Sequence, residues 1–152
     1  MQREDWLLLF LATPARSGER PRSLEPLRIM KGLFLMSQRG RGELDDLYQF
    51  KPYDYGPFTS DIYADLQVLG LRGLVTQEAV AGRSWRMYRP TTDGIERARE
   101  LASALAPTDA ATIDDAYRFV TTRGFLQLLR DIYAEYPEYA VNTVVQDAAP
   151  KQ

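Results

Sequence analysis

The sequence predicts a mostly helical α+β fold, and three observations carry that expectation. Ile62, Leu66 and Leu69 recur at i, i+4 and i+7 between the Gly56-Pro57 punctuator and Gly70, the spacing of a short amphipathic helix. Val75 to Arg89 follows as two runs around Ala81-Gly82, the pattern of a two-stranded hairpin. Helical spacing dominates before this unit and after it. A capped third helix closing into a hairpin is the arrangement of a winged helix-turn-helix with a two-stranded wing, followed here by C-terminal helices. The expected division is a winged domain over 1–106 and a helical extension over 107–152, supplying dimerisation or partner contacts.

Arg3 to Ala12 reads as the first helix. Its centre, Trp6 to Leu11, is apolar all round, so it is either buried or meets a second subunit. Thr13 to Pro26 reads as a polar loop in which Arg16, Arg20 and Arg22 face solvent or touch phosphate. Leu27 to Ser37 is the second helix, with Leu27, Met30, Leu33 and Phe34 on one face. Gly40 and Gly42 stop it, and Leu44 to Phe50 is an irregular or short helical link whose Asp45-Asp46 pair reads as a solvated turn. Phe50 to Tyr55 runs extended and either packs its rings under the third helix or offers them to bases. Thr59 caps the third helix, and Asp61 suits its positive end.

After the hairpin, Asp93 and Glu96 have capping-box spacing at the start of a fourth helix, with Ile95, Ala98, Ala102 and Leu105 as its stripe. Ala106-Pro107-Thr108 ends it. Ile113 to Thr121 and Phe125 to Tyr136 are two further helices, separated by Arg123-Gly124 and closed by Pro137. Tyr139 and Val141 to Val145 pack back or cover a sheet edge, and the last few residues fray.

Hydrophobic content of 45% and aromatic content of 11% point to a packed core rather than a disordered chain. No cysteine and no histidine occur, which removes disulfides, thiol nucleophiles, the commonest general base and the commonest metal ligands. No catalytic constellation emerges, and Gly40-Arg41-Gly42 lacks the Lys-Ser/Thr of a phosphate loop. No enzyme activity, cofactor or metal is expected. The apolar Trp6–Ala12 run is far shorter than the roughly 20 residues of a membrane span, and the Glu4-Asp5 before it is unlike a secretory leader. A cytoplasmic location follows.

The candidate DNA surface combines two elements. Thr59, Ser60, Tyr63, Ala64 and Gln67 would face the major groove from the third helix. Arg83, Arg86 and Arg89 would hold backbone or the minor groove from the wing. Period two sets Arg83, Trp85, Met87 and Arg89 on one face of the second strand, and Ser84, Arg86 and Tyr88 on the other. The competing account is a solvated edge strand guarded by charge. Two observations oppose DNA affinity: the net charge is −2, and Asp61 and Asp65 sit on or beside the exposed helix face.

Asp5 to Leu11, Ile29 to Met36, the Tyr55-Gly56-Pro57-Phe58 turn leading into Ser60 to Leu66, and Tyr136 to Val141 together resemble the YwgA-like winged-helix proteins of prokaryotes. The Tyr-Gly-Pro turn is also similar, more distantly, to that of the Panacea/SocA-like antitoxins. The resemblance implies a winged-helix fold and a regulatory or antitoxin role, and it carries over no catalytic residue. Two functions are therefore expected, a favoured reading and its alternative, in that order. One is a DNA-binding transcriptional regulator, homodimeric through the Trp6–Leu11 helix or the C-terminal helices. The other is a protein-interaction module, antitoxin- or adaptor-like, that keeps the scaffold without strong DNA binding.

Overall fold

The computed structural model describes residues 1–150. Helix α1 (Arg3–Leu11) is the hub around which the other elements pack. From Trp6 to Leu11 every side chain is 3% exposed or less. Helices α2 (Pro26–Arg39), α3 (Ser60–Leu71), α4 (Thr92–Ala102) and α5 (Pro107–Thr121) all contact it. A helix that is apolar on every side must be enclosed, and this chain encloses its own. The Trp6–Leu11 segment is thus removed as a subunit contact, because no face of it is left over. Helix α6 (Phe125–Glu135) completes a set of six. Residues from both sides of position 106 join one core, which runs from Trp6 through Phe34 and Val120 to Tyr133.

Two small antiparallel sheets accompany the helices. Strands β3 (Val75–Ala79) and β4 (Arg86–Pro90) form the expected hairpin, with Val75 opposite Pro90 and Ala79 opposite Arg86. Gly82, with φ of 76°, turns its loop. Leu24 bridges the outer edge of β4, exchanging two backbone bonds of 2.8 and 2.9 Å with Tyr88.

Strand β1 (Lys51–Tyr53) runs extended as the sequence predicts, but it pairs with β2 (Gly56–Phe58) in a second hairpin that the sequence does not predict. Asp54-Tyr55 makes its two-residue turn, and Gly56 leaves it at φ of 89°, a conformation open to glycine. Gly56-Pro57 is therefore the start of a strand rather than the turn into the third helix. The C-terminal tail covers this hairpin: the Val144 amide donates to the Asp54 carbonyl at 3.0 Å and the Asn142 side chain to the Pro52 carbonyl at 3.2 Å. The fraying expected of the last few residues does not reach Ala148, which is buried, and positions 151 and 152 lie outside the described residues.

Capping explains the element boundaries and two further corrections. The Thr59 hydroxyl accepts from the Asp61 amide at 3.2 Å, which starts α3 where the sequence places it. Helix α4 is capped by Thr91, whose hydroxyl accepts from the Gly94 amide at 3.0 Å, rather than by Asp93. Asp93 lies in the first turn, where its charge suits the helix dipole. Pro107 opens α5 at its first helical position instead of ending α4 and leaving a gap. Its missing N–H costs nothing there. Among the described residues no helix is long and apolar enough to cross a membrane.

Candidate functional site

The residues that the sequence assigns to DNA contact divide among three places. Thr59 is nearly buried. Its hydroxyl serves the α3 cap and its amide meets the Met30 sulfur at 3.4 Å, so it is not available to a groove. Ser60, Ala64 and Gln67 do lie on the outer face of α3, with Leu71, spaced to share one side of the helix. Tyr63 and Val68 flank this row and Leu71 is 84% exposed. The face carries Asp61 at one end and no cation between Ser60 and Leu71.

Asp65 is the correction on this helix. It is 6% exposed and points inward, not toward solvent. Its oxygens accept from Arg3 Nε at 2.7 Å and Nη2 at 3.1 Å, and from the Tyr48 hydroxyl at 2.5 Å. Arg3 has its pKa raised, first by the bond to Asp65. Tyr48 is pushed up by burial, then by the same carboxylate. This cluster ties α3 to α1 and explains why a carboxylate sits mid-helix. One of the two charges held against a DNA-facing surface is therefore internal.

The hairpin cations also separate. Strand β4 begins at Arg86, so Arg83 and Trp85 lie in the preceding loop and share no strand face with Arg89. Within the strand, Tyr88 and Pro90 turn inward, and Met87 and Arg89 turn outward. Arg89 pairs with Glu78 across the hairpin at 2.9 Å. Arg86 and Arg83 are exposed and form no ion pair among the described residues. Two of the loop arginines considered for phosphate contact are tied to α5, while Arg20 is exposed and forms no ion pair among the described residues. Arg16 pairs with Asp114, and Arg22 donates to the Thr121 carbonyl at 3.0 Å. Arg39 pairs with Glu135 at 2.8 Å and lies over the Phe119 ring. Arg39 ends α2, whereas Arg83 lies near its start; α2 has 14 residues and is about 20 Å long, which sets these two cations far apart.

Arg83 and Tyr63 come together elsewhere, at the wall of a cavity of about 670 Å³. The cavity opens between the start of α2, the β1–β2 hairpin, α3, the β3–β4 loop and the first residue of α6. Tyr53, Tyr55, Phe58, Trp85 and Phe125 supply rings, so the space is a largely aromatic one. Phe58 stacks on Tyr53 at 5.0 Å and meets Tyr63 at 6.2 Å, which links both hairpin strands to α3. Burial raises the Tyr63 pKa, with Tyr88 adding to it.

Lys31 lies in the same wall and is the functional candidate the sequence reading passed over. It is 3% exposed, and its ammonium donates to the Pro57 carbonyl at 3.2 Å. Burial lowers its pKa from 10.5 to about 7, with no carboxylate to oppose the shift. Gly56 stands beside it: a Cβ there would lie 3.6 Å from Lys31 Cε and 3.1 Å from the Tyr133 ring. The signal was a lysine set within the apolar run Ile29 to Met36, which period alone reads as core. Compared with known proteins, the chain matches no family model and no curated sequence.

Proposed function

We propose that this chain is a protein-binding module, adaptor- or antitoxin-like, built on a winged-helix scaffold in which α3 stands at the recognition position and β3–β4 at the wing. One observation carries the reading: the outer face of α3 presents Leu71 at 84% exposure, is flanked by Val68 and Tyr63, and carries no cation between Ser60 and Leu71. Such a face suits the apolar centre of a protein interface, where charged residues are depleted and aromatic ones enriched. It suits a phosphate backbone poorly, since DNA affinity comes mainly from cations that neutralise phosphates. The antitoxin role implied by the YwgA-like and SocA-like resemblance agrees with this reading.

A DNA-binding regulator is the second reading, favoured by the free, exposed Arg83 and Arg86. Fluorescence anisotropy with a labelled random duplex at low salt separates the two. The protein-binding reading expects no titration at micromolar protein. It also expects a stoichiometric protein partner in the native host, cross-linked to wild type and lost with Leu71→Asp, while both chains melt alike. Tight DNA binding that weakens steeply with salt and vanishes with Arg83→Ala plus Arg86→Ala would overturn it.

A further inference from the structure

We infer that the cavity between α2, the β1–β2 hairpin and α3 is a binding site for a small organic anion with a flat, apolar body, its carboxylate set against Lys31. This goes beyond the protein-binding reading and does not depend on it. Three features of the site agree. The walls are rings: Tyr53, Tyr55, Phe58, Tyr63, Trp85 and Phe125. Its volume, about 670 Å³, lies within the roughly 300–1,000 Å³ usual for small-molecule sites. Its charge is inverted relative to the chain, for Lys31, Arg28 and Arg83 line it against the single carboxylate of Glu25. That carboxylate is already engaged by Arg28 at 2.5 Å. Lys31 and Arg83 therefore line the cavity without an ion-pair partner among the described residues.

The Lys31 ammonium has three N–H donors, and the Pro57 carbonyl accepts one. A carboxylate arriving from the cavity accepts another and supplies the missing negative charge. A buried cation is costly unless paired, so the anion gains most where the site is driest. An uncharged ligand of the same shape receives the aromatic contacts alone. The rings on four separate elements fit a planar body between them, and Arg83 on the loop sits at the cavity wall beside Trp85.

Proton linkage gives the site a second signature. A bound carboxylate favours the charged amine, so above its free value of about 7 binding must take up a proton. The other charged or titratable groups facing Lys31 are Glu25 and Arg28 on α2, Tyr53 and Tyr55 on the β1–β2 hairpin, Tyr63 on α3, Tyr133 on α6 and Arg83 on the β3–β4 loop. Carboxylates, phenols and guanidinium groups ordinarily titrate outside the range from pH 7 to 9, which leaves the amine to set the dependence.

The test uses a matched pair of probes, 2-naphthoate and 2-naphthamide, titrated calorimetrically into the full chain. Wild type is expected to bind the anion at least about tenfold more tightly at pH 6.5, a difference of about 1.4 kcal/mol. Lys31→Met should erase that preference and leave the amide unaffected. In wild type, naphthoate affinity should fall between pH 7 and 9 by up to about tenfold per unit, while amide affinity stays level. Equal binding of the two probes by wild type, or an anion preference that persists in Lys31→Met, overturns the inference. Should Lys31→Met fail to fold, the wild-type pH series decides alone, and a flat naphthoate profile sinks it.

Discussion

Lys31 carries a cost that its neighbours do not offset. Its amine is enclosed, one carbonyl accepts from it, and burial lowers its pKa to about 7. The sign of the pH dependence follows from proton counting. Between about pH 7 and 10.5 the unfolded chain holds a proton that the folded chain has shed. Stability therefore rises with pH across that window, by up to about 1.4 kcal/mol per unit, and is level below it. Methionine fills a similar volume and carries no charge to desolvate. Lys31→Met should consequently be more stable than wild type at pH 6, and its advantage should shrink steadily from pH 7 to 9. Urea unfolding across that range measures it, and a gap that stays constant with pH would show that the amine remains charged in the fold.

Helix α3 is held by its polar residues as much as by its apolar stripe. Ile62, Leu66 and Leu69 are all buried, as their spacing predicts, but Asp65 is buried with them and bonded to Arg3 and Tyr48. Asp61, one turn earlier, is exposed and 3.5 Å from the same arginine. The two carboxylates should therefore behave differently when neutralised. Asp65→Asn loses charged hydrogen bonds at a buried site, with an expected cost of about 1–3 kcal/mol, toward the lower end because Arg3 is partly solvated. Asp61→Asn should stay within about 0.5 kcal/mol of wild type. Thermal melts of the pair decide this, and equal losses would contradict the internal placement of Asp65. The comparison also shows what the sequence made legible. The helices with a 3.6-residue period and the β3–β4 hairpin were legible because one local signal marks each. The inward Asp65 was not, since its partners lie at positions 3 and 48, and no local pattern links them. The β1–β2 hairpin was hidden because its strands are three residues each, too short for alternation to register. The cavity was hidden for the same reason as Asp65: its lining comes from five distant segments, and only Tyr63 and Arg83 among the named site residues reach it.

At the scale of the molecule the question is whether residues 107–150 are an extension or part of the fold. Helix α5 lies along α2 and contacts α1, and it inserts Ile113, Ala116, Tyr117 and Val120 into the common core. The Phe10 ring meets the Tyr117 ring at 5.4 Å, so the hub helix is roofed by the supposed extension. Arg28 and Arg22 on the early segment donate to carbonyls at the end of α5, which adds polar ties across the same boundary. Helix α6 seats Leu128, Leu129, Ile132 and Tyr133 in that core too. Burying a large apolar side chain contributes about 1.5–3 kcal/mol, and a domain's net stability is about 5–15 kcal/mol. Removing seven large side chains of this kind takes away an amount as large as the whole margin and strips one side of α1. A chain ending at residue 106 should accordingly lack a cooperative thermal transition and show collapsed amide dispersion by NMR, whereas the full chain should melt in a single transition seen alike by far- and near-ultraviolet circular dichroism. A sharp melt of residues 1–106 alone would restore the two-part division and make α5 and α6 a separate, docked element.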